Sequence, residues 1–418
     1  MSSKLRRLLA VHPGDTRAVV WSSTQFALLM ASLYTVRPLR DELGIQAGAE
    51  SMQWLFSGTF VAMLLLVPLY GWVISRWPRR WVVPCVFVAL GVSLLLARGV
   101  AVGLEGSARA TFAAGLFVWI SAFNLLAVSV FWSLAVDVFS PRSSRRSFGL
   151  VSAGGTAGAL AGPLIAAGVV RFGAPDDLMV VSAFLLFAVA VAGWGLERTD
   201  DPPESAEGLG GGVVQGFGLM LAEPRLRMLC GYLLCMTWVS TVLYFVQARV
   251  IAAAELDSAA RTTTFAMLDL VVNGSAIVVQ LLLTGRVLER LGLAAVLLTL
   301  PVVSGLALIG VSLAPSLSVV LVAQALRRST NFALARPARE VLFTSVGRLA
   351  RFKGKNVVDT VVYRGGDMLA GWAFSLLELA GVGLGAIAWL ATPAVGVWAW
   401  LGLRLGRGIE SPQADEVV

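Results

Sequence analysis

Charge is scarce in this sequence: 14% of its 418 residues are Asp, Glu, Lys or Arg and 57% are hydrophobic, against about 25% and about 45–50% in ordinary soluble domains. That balance excludes a soluble globular chain and implies an integral membrane protein, whose partner is the lipid bilayer. Histidine occurs once, as His12, which excludes a histidine-based metal site. The three cysteines, Cys85, Cys230 and Cys235, each lie inside an apolar run, so they read as small buried hydrophobes rather than disulfides or metal ligands. A Walker loop, His/Cys metal spacing and a Gly-x-Ser-x-Gly elbow are all missing, as is an extramembrane catalytic domain. A membrane-embedded enzyme or scaffold is therefore the poorest reading, and the chain calls for no cofactor and no metal. The basic start Lys4–Arg7 leads into His12-Pro-Gly-Asp rather than an apolar run, so no cleavable signal peptide is expected.

What the chain has in abundance is apolar runs. At about 20 residues per crossing, the pattern predicts an all-α polytopic fold of twelve spans, roughly 18–37, 52–75, 81–103, 110–138, 148–170, 178–196, 228–248, 264–284, 293–313, 317–334, 356–378 and 381–403. The spans at 317–334 and 356–378 carry charges that a hydropathy profile alone would penalise. The net charge of +8 does not call for nucleic acid. Its Lys and Arg fall in short connections, at Arg76, Arg79 and Arg80, at Arg142, Arg145 and Arg146, and at Arg286 and Arg290. With twelve crossings these lie on one side, which the positive-inside rule makes cytoplasmic, both termini included. A bacterial inner membrane is the expected location.

Residues 197–217 are acidic and Gly-rich and read as a flexible linker. They divide residues 1–196 from 218–418, two halves of six spans each. A weak echo supports the division: Gly71-Trp-Val-Ile-Ser-Arg-Trp-Pro-Arg-Arg follows the second span, and Gly285-Arg-Val-Leu-Glu-Arg290 follows the eighth. Gly154, Gly158 and Gly162 stand four apart, giving one flat helix stripe for close backbone packing. A sliding seam between two transport states is the sharper reading of the same stripe.

Four charged groups sit in or beside apolar runs, where charge is costly. The first is Arg37, Arg40, Asp41 and Glu42, beside Pro38 at the end of the first span. The second is Asp137. The third is Arg327-Arg328, followed by Arg336-Pro-Ala-Arg-Glu340. The fourth runs from Arg351 through Lys355 and Asp359 to Arg364 and Asp367. Lys355 and Asp359 are four apart and Arg364 and Asp367 three apart, so each pair shares a helix face. Internal salt bridging accounts for the acids Asp137, Asp359 and Asp367 as well as a coupling role does. It accounts less well for the basic residues, which outnumber them. Arg37, Arg40, Arg327, Arg328, Lys355 and Arg364 are the candidate contacts for an anionic solute, Arg's planar fork being suited to phosphate or carboxylate. Arg336, Arg339 and Arg348 read as cytoplasmic anchors. Tyr34, Trp132, Tyr244, Phe245 and Tyr363 lie near these charges, as stacking faces or as ordinary packing and lipid-interface residues. Asn124, Asp269 and Asn273 are placed either to bond substrate or to bridge helices.

Tyr34-Thr-Val-Arg-Pro-Leu-Arg-Asp-Glu-Leu-Gly44 resembles the first-helix motif of the nucleotide (ATP/ADP) transporters of plastids and intracellular bacteria, with Arg40-Asp41 where those proteins carry Lys-Asp. Ser129-Val-Phe-Trp-Ser-Leu-Ala-Val-Asp137 and Arg145-Arg-Ser-Phe-Gly-Leu150 are similar to their fourth-to-fifth helix segment, with Asp137 where many have an amide. Arg336-Pro-Ala-Arg-Glu340 and Gly354-Lys-Asn-Val-Val-Asp359 resemble their tenth-to-eleventh helix motifs, and Tyr363-Arg-Gly-Gly-Asp367 is similar to a bacterial subgroup. The resemblance spans both halves in matching order. It implies a major facilitator-like fold, nucleotide exchange or proton-linked import, phosphate contact by Arg40 and Lys355, and orienting or coupling roles for Asp41, Asp137 and Asp359. The expectation is a monomeric carrier with a basic central cavity. A proton-coupled carrier of another organic anion or lipid-like phosphate is the alternative.

Overall fold

The computed structural model describes residues 16–139, 141–194, 218, 222–344 and 358–410. Linker positions 197–217 and Lys355 lie outside the described residues, as do the side chains of Asp137 and Asp359. Described residues in regular structure are helical, and no strand occurs among them. The elements are α1 (Thr16–Gln46), α2 (Met52–Arg76), α3 (Arg79–Ala101), α4 (Gly106–Val138), α5 (Pro141–Phe172), α6 (Asp177–Trp194), α7 (Pro224–Ala253), α8 (Ser258–Val279), α9 (Gly285–Leu313), α10 (Leu317–Thr330), α11 (Arg336–Thr344), α12 (Tyr363–Leu379), α13 (Leu384–Leu390) and α14 (Thr392–Glu410).

Eight helical stretches among the described residues are long and apolar enough to cross a membrane. One of them, the 56-residue run Ser258–Leu313, is broken at Gly292, whose φ of 78° and ψ of 172° are not helical. A Cβ is strongly disfavoured at that φ, so glycine is what permits the break. Large apolar side chains such as Leu65, Phe172, Leu313 and Leu379 are exposed. In water such surface would drive association; a bilayer covers it.

The chain forms two compact units. The first comprises residues 1–48, 61–208 and 256–270; the second comprises 49–60, 209–255 and 271–418. In the first unit α1 is the central post. Leu29, Val36, Leu39 and Leu43 are fully buried, and polar stitches fasten the helix to its neighbours. Gln25 Nε2 donates to Val189 O at 3.2 Å, Ser32 Oγ to Ser182 O at 3.0 Å, and Thr35 Oγ1 to Gly162 O at 3.3 Å. Such bonds supply helix association where lipid removes much of the hydrophobic driving force. The glycine stripe faces the same post: a Cβ at Gly154, Gly158 or Gly162 would strike the α1 backbone at Ser23, at Ala27 and Ala31, or at Ala31 and Tyr34.

In the second unit α7 is central. Tyr232 is buried, donates to Leu297 O at 3.2 Å and packs edge-on to the buried Trp398. Among the described residues three π turns interrupt its helices, at Gln280–Thr284, Asn331–Ala335 and Val358–Val362. Side chains of the first satisfy carbonyls of the second. Gln280 Nε2 donates to Phe332 O at 2.9 Å and Thr284 Oγ1 to Ala333 O at 2.9 Å.

Candidate functional site

The sequence pattern ends the first span near residue 37, yet α1 runs on through Pro38 to Gln46. Pro38 is buried and the helix does not stop there. Arg37, Arg40, Asp41 and Glu42 are therefore helical, and their 3.6-residue spacing points them in different directions. Arg37 Nε lies 3.5 Å from Asp269 of α8, whose side chain is almost wholly buried, and its guanidinium stands 5.5 Å from the Tyr34 ring centroid. Arg40 turns to its neighbour Asp41, donating from both Nε and Nη2, and lies 5.4 Å from the Phe117 ring centroid.

Glu42 is fully buried and meets Arg261 of α8 through two parallel bonds, Nε to Oε2 at 2.7 Å and Nη2 to Oε1 at 2.9 Å. Gln46, one turn on, donates to Glu42 Oε1 at 3.1 Å and to Ser258 Oγ at 3.2 Å. Its own Oε1 accepts from Arg109 Nε at 3.1 Å, and Arg109 Nη2 reaches Asp176 at 2.8 Å. Sequence reading singles out neither Arg261, Arg109, Asp176 nor Gln46 in this network. Each stands near the end of an apolar run, and the paired residues lie too far apart in the chain for local spacing to link them. The α4 residue Asn124, a candidate for substrate or helix bridging, has a buried Oδ1 without a hydrogen-bond partner among the described residues.

In the second unit α10 presents Arg327, whose residue surface is 9% exposed. Its Nη1 donates to Ser240 Oγ of α7 at 2.8 Å and its Nη2 to Gln324 Oε1 one turn back at 2.9 Å. Both partners are neutral, and Arg327 Nε and Gln324 Nε2 are buried without a hydrogen-bond partner among the described residues. Arg328 is half-buried beside it. On α12, Arg364 Nη1 lies 3.4 Å from Asp367 Oδ2, the three-residue pairing expected from spacing, and the Tyr363 ring centroid is 5.6 Å from the guanidinium. Asp367 is buried and accepts from Thr241 Oγ1 of α7 at 3.3 Å. One turn past Thr241, Tyr244 and Phe245 pack with Phe56, the centroids 5.7 and 5.1 Å away. Farther along α7, Arg249 Nε donates to Glu378 of α12 at 2.8 Å, a pair the sequence reading passes over.

The first unit thus brings Tyr34, Arg37, Arg40 and Asp41 onto one helix among acids. The second brings Arg327, Arg364 and Asp367 near Ser240 and Thr241, with more guanidinium than carboxylate among the described groups. A buried guanidinium hydrogen-bonded only to neutral groups favours an anion, because desolvating that charge costs several kcal/mol or more.

The family model described as Major Facilitator Superfamily matches residues 19–344. No curated protein matches the sequence. Among solved structures, the chain is similar to the nucleoside transporter NupG in its D323A mutant form, with a TM-score of 0.66 and 14% identity over 94% of this chain and 99% of that one. It is similar to a bacterial homologue of the human lysosomal transporter Spinster, captured inward-facing and unoccupied, at TM-score 0.64 and 13% identity over 96% and 100%. It is also similar to a bacterial homologue of the iron transporter ferroportin, inward-facing, at TM-score 0.64 and 14% identity over 95% and 100%. At these identities the likeness is one of fold.

Proposed function

The chain belongs to the Major Facilitator Superfamily, and from that premise we propose that it carries a phosphate-bearing organic anion, a nucleotide of the ATP/ADP type, by exchange. At the coarser level it is a multi-pass membrane transporter of the major facilitator type and not an enzyme. The observation that carries the anion reading is Arg327: a buried cation bonded to Ser240 and Gln324, with an Nε that has no hydrogen-bond partner among the described residues. A substrate phosphate would supply the missing acceptor, and the guanidinium fork matches its geometry. Arg328 and Arg364 would add charge beside it. In the first unit Arg37 and Arg40, their side chains 24% and 18% exposed, would exchange their carboxylate partners for substrate oxygens. The motif resemblance assigns phosphate contact to Arg40 and Lys355, and it supplies the nucleotide. The nucleoside transporter among the similar structures agrees with that class of cargo. Twelve crossings, cytoplasmic termini, an inner bacterial membrane and a monomeric carrier belong to the same proposal.

Asp367 favours a second reading, proton-linked carriage of another organic anion or lipid-like phosphate. Its carboxylate is buried between Thr241 and Arg364, where taking up a proton would release Arg364 to a substrate. Asp137 and Asp359 are the other candidate proton sites.

A ligand screen by thermal shift tests the anion reading. Purified protein is heated with ATP, ADP, sugar phosphates and dicarboxylates, and a ligand held at 100 times its dissociation constant stabilises the fold by about 2.7 kcal/mol. A nucleotide should raise the unfolding midpoint of the native chain and leave that of Arg327→Gln unmoved. Equal shifts in both, or no shift with any phosphate-bearing ligand, would overturn it.

A further inference from the structure

Within the second unit the chain passes from α10 into α11 through the π turn at Asn331–Ala335, and that turn decides where Arg339 points. Arg339 lies twelve positions after Arg327. In an unbroken α-helix, at about 100° per residue, it would stand about 120° round the axis from Arg327. A π turn takes up one extra residue, which removes about 100° and leaves the two arginines within about 20° of one face. The contacts agree. Arg327 Nη1 donates to Ser240 Oγ of α7 at 2.8 Å, and Arg339 Nη1 reaches Met236 Sδ, one turn away on the same face of α7, at 3.3 Å. Arg339 Nη2 lies 3.5 Å from Asn331 Oδ1. Sequence position alone makes Arg339 a cytoplasmic anchor; the turn aims its guanidinium at α7 instead. The turn is braced in that register, because Gln280 Nε2 and Thr284 Oγ1 cap the Phe332 and Ala333 carbonyls.

We propose that Arg339 is a second anion contact, set on the face of Arg327 by the π turn, and that the two guanidinium groups together hold the separated charges of one polyphosphate chain. This rests on the anion reading of Arg327 and adds to it a residue and a preference, for linked phosphates over a single one. Arg339 is half-buried, and the partners that the described residues offer it are neutral and weak. A thioether sulfur is a poor acceptor, and 3.5 Å is long for an N–H to O bond. An oxyanion therefore displaces both at little cost. Asn331 turns its Oδ1 to Arg339, which leaves its Nδ2 to donate to the same oxyanion. The α7 contacts of the two arginines, Ser240 and Met236, are one helical turn apart, about 5.4 Å, a span that an extended triphosphate covers and a lone phosphate does not. Once one end of such a chain is held, the second contact is intramolecular, so the linked anion binds more tightly than its separate groups.

The test titrates the detergent-purified chain with two inorganic salts, orthophosphate and tripolyphosphate, and reads each affinity from the shift in the unfolding midpoint. The native chain should bind tripolyphosphate about tenfold or more tightly than orthophosphate. Arg339→Gln should close most of that gap and leave orthophosphate affinity near its native value. Arg339→Lys, which keeps the charge and loses the fork, should keep part of the gap. Arg336→Gln removes the same charge from an exposed position on the same helix and should leave the gap intact, which separates a contact from a general basic field. Midpoints without ligand show that each variant is folded. A gap that survives Arg339→Gln, or that Arg336→Gln closes equally, would overturn the proposal. Orthophosphate that binds and is lost in Arg327→Gln, with no gap in the native chain, would remove the second contact alone. Failure of both salts to bind the native chain would remove the anion reading and the second contact with it.

Discussion

Replacing Gly158 by alanine adds one carbon to α5, and the structure fixes where it goes. That carbon would overlap Ala27 O and lie 2.8 Å from Ala27 C and 2.9 Å from Ala31 N, where ordinary contact begins at 3.4 Å. All three atoms are α1 backbone and cannot rotate aside. The helices must therefore part by about 0.5 Å or more, and overpacking of this kind costs about 1–3 kcal/mol. Against this stands a gain of about 1 kcal/mol from alanine's better helix propensity. Gly149 and Gly168 lie on the same helix with nothing within 4 Å of an added Cβ, so alanine there collects the gain without the clash. Midpoints of thermal unfolding in detergent, followed by the fluorescence of the 13 tryptophans, should then place Gly158→Ala below the native chain and Gly168→Ala at or above it. Their separation should correspond to about 1–3 kcal/mol. Coincident midpoints for positions 158 and 168 would show that the α1–α5 seam is looser than its geometry and would refute the close-packing account of the stripe.

Arg40→Lys should retain part of any phosphate affinity and Arg40→Ala little, since lysine keeps the charge and loses the fork; titration calorimetry with the best ligand of the screen reads both, and identical affinities would move the contact elsewhere. Asp177 is the first residue of α6, just ahead of the apolar run that begins at Leu178, and its pKa is lowered from 3.8 first by the Ala174 backbone N–H and then by Arg98, whose guanidinium donates to it at 2.8 Å. A carboxylate with a lowered folded pKa contributes stability that is complete above its unfolded value and is lost as pH falls through the folded one. The unfolding midpoint of Asp177→Asn should accordingly fall below that of the native chain at pH 6 and approach it as the pH falls below 3.8; a difference that does not shrink as the pH is lowered would contradict the assignment.

What the sequence disclosed was local. The pairing of Arg364 with Asp367 follows from three-residue spacing on one helix, and the seam at Gly154, Gly158 and Gly162 follows from four-residue spacing. Both arise in residues a turn or two apart, so periodicity reveals them. The helical continuation from Pro38 to Gln46 was hidden because dense charge after a proline reads as the end of a span, whereas here Arg261 and Asp269 neutralise Glu42 and Arg37 from another helix. The pairs Glu42–Arg261, Arg109–Asp176 and Arg249–Glu378 join residues 219, 67 and 129 positions apart, and no local pattern selects such partners. Arg327 was legible as an unusual charge in an apolar run, but its neutral partners Ser240 and Gln324 became visible only once α7 and α10 were seen side by side.

The central claim, a carrier whose buried guanidinium groups receive a phosphate-bearing anion, is tested most directly by counterflow. Proteoliposomes loaded with unlabelled ADP are given labelled ATP outside, with and without an imposed pH gradient. The account predicts uptake that requires internal nucleotide and is lost in Arg327→Gln. Uptake that ignores internal nucleotide and follows the pH gradient would favour proton-linked carriage, and the absence of counterflow with any nucleotide or organic phosphate would contradict the claim.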